Sequence, residues 1–196
     1  MKIAVNSIGR KQDQDQPFPG FSAPSVGLDQ PFEMLSACHE RVQRTLRLLE
    51  KVVTHVQAHG SDAKVVDAAA DVLRYFDLAA PRHHEDEELH VFPLLLQQND
   101  GALTKAVVRM QADHLQMTAQ WARLRESLVG LGQASGGSAP FSVLTLVQEA
   151  AKFIALYADH VHTEDTLLYP AAIALADPAL LARMSADMRA RRTVSR

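Results

Sequence analysis

The sequence predicts an all-α protein, an up-down-up-down four-helix bundle with a short C-terminal helix, and three observations carry that prediction. From Pro31 onward, long segments rich in Ala, Leu, Arg, Glu and Gln alternate with short Gly, Ser, Asn or Asp breaks. Apolar residues within these segments recur at the 3.6-residue helical period. The connections are short, which favours antiparallel neighbours. At 196 residues the chain is long enough for one domain with a proper core and short for two.

The first helix runs from Pro31, which suits a first helical position, to His59, and Gly60 ends it. Ser61 or Asp62 can cap the second, which extends to about Gln98 and is interrupted by Pro81. Asn99-Asp100-Gly101 makes the next turn, and the third helix carries Leu103 to about Leu128. Gly130 to Pro140 reads as a Gly/Ser-rich loop, and the fourth helix runs from about Phe141 to Ala176. Asp177-Pro178 looks like an N-cap followed by a first-turn proline, opening a short helix through about Arg191. The expected organisation is an N-terminal arm over 1–30, a bundle over 31–176 and a short helix with a basic tail over 177–196.

The arm is dominated by Gly, Pro, Gln, Ser and Asp and reads as a flexible or loosely packed extension. Its longest apolar run, Ile3-Ala4-Val5, is far short of a signal-peptide core, and nothing later approaches the roughly 18 apolar residues of a membrane span. A cytoplasmic protein without a membrane partner is the expectation. A formal charge of −3 sets up no field that would attract nucleic acid. The single cysteine, Cys38, excludes an internal disulfide framework and any multi-cysteine zinc site. Nine histidines are the feature that composition leaves unexplained.

Their positions are informative. On helix 2 the apolar stripe Val72, Phe76, Ala79 and Leu94 is filled between by His83, Glu87 and His90; on helix 4, Phe153 and Leu156 lead to His160 and Glu164, then to Leu167 and Ala171. Ionisable groups inside a core stripe cost several kcal/mol unless paired or metal-bound. The two segments also repeat: an offset of 77 residues carries His83 to His160, Glu87 to Glu164 and Phe92-Pro93 to Tyr169-Pro170. Residues four apart lie about 40° apart around a helix and roughly 6 Å along it, so each pair can converge on one interior point. His39 lies on the helix 1 stripe of Leu35, Val42, Leu46 and Leu49, and His114 on the helix 3 stripe of Val107, Met110 and Met117. Four histidines and two glutamates suffice for a two-metal site with bridging carboxylates and positions left for water or a small ligand, and this donor set suits iron, manganese or zinc.

These residues resemble the hemerythrin-like, or HHE cation-binding, family. The resemblance rests on Cys38-His39-Glu40-Arg41, on Pro81-Arg82-His83-His84-Glu85-Asp86-Glu87-Glu88 followed by Val91-Phe92-Pro93, on Ala112-Asp113-His114, and on His160-x-x-x-Glu164 followed by Tyr169-Pro170. It covers about Pro31 to Ala176. It implies a bundle holding two non-haem iron ions, with room for an oxo or hydroxo bridge. It also implies ligation by His39, His83, Glu87, His114, His160 and Glu164, with Glu87 and Glu164 bridging. A dioxygen, nitric oxide or peroxide partner follows, or a role in reporting iron or redox status. A di-iron oxidase, peroxidase or repair enzyme is the alternative, and a zinc-binding or metal-free structural bundle the second. One departure stands out: oxygen-carrying hemerythrins have two histidines four apart on the third helix, whereas Thr118 and Met110 flank His114 at that spacing.

The remaining candidates have plainer readings. His84/Glu88 has the same spacing as His83/Glu87, and the repeat favours the latter. His90, one turn past Glu87, either compensates for the missing histidine or lies behind the ligands. His55 and His59 favour the end of helix 1 through its dipole and face solvent, His162 lies on the surface, and Cys38 is an inert core thiol. Trp121, Phe76, Tyr75 and Tyr157 are read as core packing, with an apolar ligand pocket as the alternative. The tail Arg189-Ala190-Arg191-Arg192 complements the end of the last helix.

Overall fold

The computed structural model describes residues 29–134 and 142–193, and among these every regular element is helical. Helix α1 spans Pro31–His59 and α2 Ala63–Asp86, followed by a π-helical turn at Glu87–Val91 and by α3, Phe92–Leu96. Helix α4 spans Gly101–Ala134, α5 Val143–Thr163, a second π-turn Glu164–Leu168, α6 Tyr169–Leu175, and α7 Pro178–Thr193. The arm up to residue 28 and most of the Gly/Ser-rich stretch lie outside the described residues.

Local chemistry accounts for the boundaries. Gly60 closes α1 at φ 76°, where a side chain would be strained. Asp62 caps α2, its carboxylate accepting from the Val65 N–H at 2.9 Å, while the Ser61 hydroxyl donates to the Leu131 carbonyl. Asp100 takes the first amides of α4 at 2.7 and 3.0 Å, Ser142 caps α5, and Asp177 caps α7 ahead of Pro178. Two expectations need correction. Pro81 lies within α2 without interrupting it, and α4 continues through Gly130 and Gly132 to Ala134.

The break expected at Pro81 falls instead at the π-turns, which obey the same 77-residue offset as the motifs. In each, an N–H reaches back five residues, Phe92 to the Glu87 carbonyl and Tyr169 to the Glu164 carbonyl. Each turn precedes a proline, Pro93 or Pro170, which cannot supply the N–H of an ordinary helical bond. The extra residue moves the core register one position along. Leu95 rather than Leu94 is fully buried, Leu168 is 0% exposed against 42% for Leu167, and Ala172 replaces Ala171.

The arm α1 packs on α2 and α5, and α4 packs on the same two, closing a bundle. Its interior has two apolar layers. One joins Val42 to Val56, Val65 to Ala80, Met117 to Leu131 and Leu146 to Val161; the other joins Phe32, Leu35, Val91, Phe92, Leu95, Val107, Met110, Leu168 and Tyr169. Helix α7 is part of the second layer, contributing Met184 and Met188 at 0% exposure. No single helix among the described residues is long and apolar enough to cross a membrane.

A candidate metal centre

Between the two apolar layers each arm turns polar at one level. His39 separates Leu35 from Val42, His83 and Glu87 separate Ala80 from Val91, His114 separates Met110 from Met117, and His160 and Glu164 precede Leu168. All six are buried, and the two glutamates have no exposed surface.

They fall into two sets that share both carboxylates. His39, His83, Glu87 and Glu164 bring ligand atoms within 4.8 Å of one another, and so do Glu87, His114, His160 and Glu164. Each glutamate presents one oxygen to each set. Glu87 Oε1 lies 3.5 Å from His83 Nε2, and Oε2 lies 3.5 Å from His114 Nε2. Glu164 Oε2 lies 3.1 Å from His39 Nε2, and Oε1 lies 3.1 Å from His160 Nε2 and 3.9 Å from His114 Nε2. Close as they are, Glu87 Oε2, both oxygens of Glu164, His114 Nε2 and His160 Nε2 make no hydrogen bond. Buried polar atoms left facing one another in this way are costly in a metal-free core. They fit a cation: atoms held about 2.1 Å from a common ion lie roughly 3.0–3.5 Å apart.

The opposite edges of the imidazoles are held from outside. Asp165 meets His39 Nδ1 at 2.8 Å, Glu88 meets His114 Nδ1 at 3.0 Å, and Asp113 approaches His160 Nδ1 at 3.5 Å. Gln111 donates to the other oxygen of Glu88. Glu88 and Asp165 are another pair at the 77-residue offset, each following a shared glutamate. The repeat extends to aromatic faces: Phe92 stacks on His114 and Tyr169 on His39, with ring centroids 5.6 and 5.3 Å apart. In an α-helix, residues five apart point about 140° away from each other, so the π-turns are what bring Phe92 and Tyr169 round toward the glutamates that precede them. The Tyr169 hydroxyl donates to Glu87 and lies 3.3 Å from His39 Nε2.

Protonation follows this geometry. Burial opposes charge on His39, but Asp165 and Glu164 outweigh it and push its pKa up to about 10. Burial would also raise Glu164, yet His160 and His39 hold it well below the usual carboxylate range. Burial and the Glu164 charge push Glu87 up. Burial and the neighbouring imidazoles push His83 and His84 well down, leaving nitrogen lone pairs available. Burial raises the Tyr169 phenol far above its ordinary value, so it stays a donor.

The other candidates sort as follows. His90 turns away and pairs with Asp187 of α7 at 2.8 Å, because the π-turn rotates it off the interior stripe. His84 enters the interior and stacks on His114. His55 pairs with Asp62 at the far end of α1, and His59 and His162 are exposed. Burial pushes the Cys38 thiol up and keeps it protonated. The basic tail does not simply complement its helix end: Arg191 and Arg192 each contact fully buried Asp86 at 2.6 Å, and Arg191 also meets Glu85 and Asp187. The cluster around Trp121 packs against the core, with the indole N–H donating to Asp77, and Phe76, Trp121 and Tyr157 also line a cavity of about 60 Å³.

Over residues 30–172 the chain matches the model of the hemerythrin HHE cation binding domain. It is also similar to an uncharacterized protein of Haemophilus influenzae, with 34% identity over 100 residues, which covers 51% of this chain and 58% of that relative.

Proposed function

The chain belongs to the hemerythrin HHE cation-binding family, and from that premise we propose that it holds two non-haem iron ions and uses them to bind dioxygen, nitric oxide or peroxide, or to report iron or redox status. The observation that carries this reading is the sharing of both glutamates between the two sets: Glu87 has one oxygen toward His83 and the other toward His114, and Glu164 one toward His39 and the other toward His160 and His114. The nitrogen and oxygen donor set, with no thiolate in it, suits iron; manganese and zinc are the other cations it fits.

Iron bound there would supply open coordination positions and one-electron redox chemistry toward a small ligand. The rest is the work of the chain. Asp165 and Glu88 accept from the Nδ1 edges of His39 and His114 and aim their Nε2 atoms inward. The Tyr169 hydroxyl holds Glu87 by one oxygen and leaves the other toward His114. The two apolar layers exclude bulk water above and below. In this reading the arms run up-down-up-down, as their short connections favour.

Metal analysis of protein expressed with added iron, with an absorption spectrum before and after exposure to air, tests the proposal. About two irons per chain and a spectrum that changes reversibly as oxygen is removed are expected for a binding protein. Less than about one iron per chain sinks the di-iron reading. Catalytic consumption of peroxide would move the reading to an enzyme using the same centre.

Metal binding should release protons. His39 carries one in the metal-free protein up to about pH 10 and must lose it to ligate. Its ion pair stabilises the metal-free fold fully below the ordinary value of 6.5, and that contribution is lost as pH rises through about 10. Metal affinity runs the other way, rising about tenfold per pH unit for each proton displaced. Calorimetry at pH 7 in two buffers of different ionisation enthalpy is expected to count at least about one proton released per chain; none released would contradict the assignment of His39.

A further inference from the structure

Helix α4 carries two apolar stripes on opposite sides. The buried one, from Val107 to Leu131, includes His114 and packs between α2 and α5. On the outward side Val108, Ala112, Leu115, Ala119, Ala122 and Val129, with Lys105 and Glu126 completing the series, recur at alternating steps of three and four residues, and all are exposed. Leu115, at 76%, is the most exposed large apolar side chain among the described residues. Neither neighbouring helix covers this stripe: α5 approaches α4 on the side of Gln120, which donates to Glu149, and α2 on the side of Arg125, which meets Asp77. The outward face of α1, by contrast, carries Glu40, Arg44, Arg47 and Lys51, the charged pattern of a solvated bundle surface.

The charges within the stripe complement each other between copies. Lys105 and Glu126 are its only ionisable members and lie three heptads apart, and neither forms an ion pair or hydrogen bond among the described residues. Parallel pairing of two α4 helices would set each beside its own kind. Antiparallel pairing about a twofold axis near Met117 sets Glu126 of one copy level with Val108 of the other and within a turn of its Lys105, and does so twice. The same pairing puts Leu115 level with Ala119 and Ala112 level with Ala122, so a large side chain meets a small one at the centre and the axes can approach to about 8 Å. A heptad repeat winds slowly around a helix and suits a partner crossing at about 20°. Arg109 and Arg123 flank the stripe on the α5 side, where Asp113, Asp159 and Glu149 already offset them.

We infer that the outward face of α4 is a self-association surface that takes the α4 of a second copy of this chain in antiparallel pairing. The apolar members exclude water along the seam, and the two Glu126–Lys105 pairs fix its direction and register. The inference does not depend on which metal the chain holds. His114 lies on the opposite side of the same helix, within a turn of the axis, so the dimer sets the polar layers of its two copies back to back.

Sedimentation of the full chain is expected to show a dimer at about 50 µM. Leu115→Glu puts a carboxylate at the centre of the seam and should weaken dimerisation at least about a hundredfold, while circular dichroism shows the exposed substitution to leave the bundle folded. Lys105→Glu and Glu126→Lys should each weaken it at least about tenfold, and the two changes together on one chain should restore it to within about threefold of the wild type. A wild-type chain that sediments as a monomer at that concentration, or a dimer that Leu115→Glu leaves intact, would overturn the assignment of this face. A double variant that pairs no more tightly than the single ones would overturn the antiparallel register.

Discussion

Glu164→Gln is expected to reduce bound iron from about two ions to less than about half an ion per chain after anaerobic loading, while the bundle remains folded. The reason is position. Glu164 belongs to both histidine sets and approaches His39 and His160 at 3.1 Å and His114 at 3.9 Å, so its loss weakens both sites together. An amide keeps the volume but removes the charge that balances two cations in a buried layer. The same change leaves His39 with Asp165 as its nearest carboxylate partner, so the metal-free imidazole should titrate at a lower pH than in the wild type. His55→Ala is the control: its partner Asp62 lies at the far end of α1, and iron content should not change. Wild-type iron content in Glu164→Gln, or equal loss in both variants, would defeat the assignment.

Removing Arg191 and Arg192 together, as Arg191→Ala with Arg192→Ala, is expected to cost about 3–5 kcal/mol, because it strands a carboxylate inside the protein. For a chain of this size that corresponds to a fall in Tm on the order of 10 °C. Asp86 is 0% exposed and receives one guanidinium on each oxygen at 2.6 Å. Asp86→Ala should cost clearly less. The arginine side chains it releases are already 20% and 25% exposed and can turn to water, and Arg191 keeps Glu85 and Asp187. Thermal and urea unfolding of the metal-free proteins checks this order, and an Asp86→Ala variant as unstable as the double arginine variant would contradict it. Asp86 immediately precedes Glu87, so this pairing fastens α7 beside the polar layer.

Much of the site was legible because its spacing is local. A histidine and a glutamate four apart share a helix face whatever surrounds the helix, and a repeat of that unit at a fixed offset needs no fold to be seen. Helix ends were legible for the same reason: Gly60, Asp62, Asp100 and Asp177 act on backbone groups within a turn of themselves. Strict 3.6-residue counting failed after Glu87 and Glu164. It put Leu94, Leu167 and Ala171 in the core and His90 near the ligands, while one extra residue in each π-turn moves burial to Leu95, Leu168 and Ala172 and sends His90 to Asp187. The prolines at 93 and 170 were the signal available, since each removes one helical N–H and is accommodated here by a change of bonding pattern, although Pro81 lies inside α2 without such a change.

By itself, the sequence determined an all-helical chain, the faces that carry His39, His83, Glu87, His114, His160 and Glu164, and a nitrogen and oxygen donor set without sulfur. The tertiary structure alone decided which edges meet. It faces each glutamate to both histidine sets, turns Tyr169 onto Glu87, brings His84 against His114, and fastens Arg191 and Arg192 to Asp86 across more than a hundred residues. The physical reason is that contacts within a helix follow from its own period, whereas the register between helices is set by packing summed over their whole length.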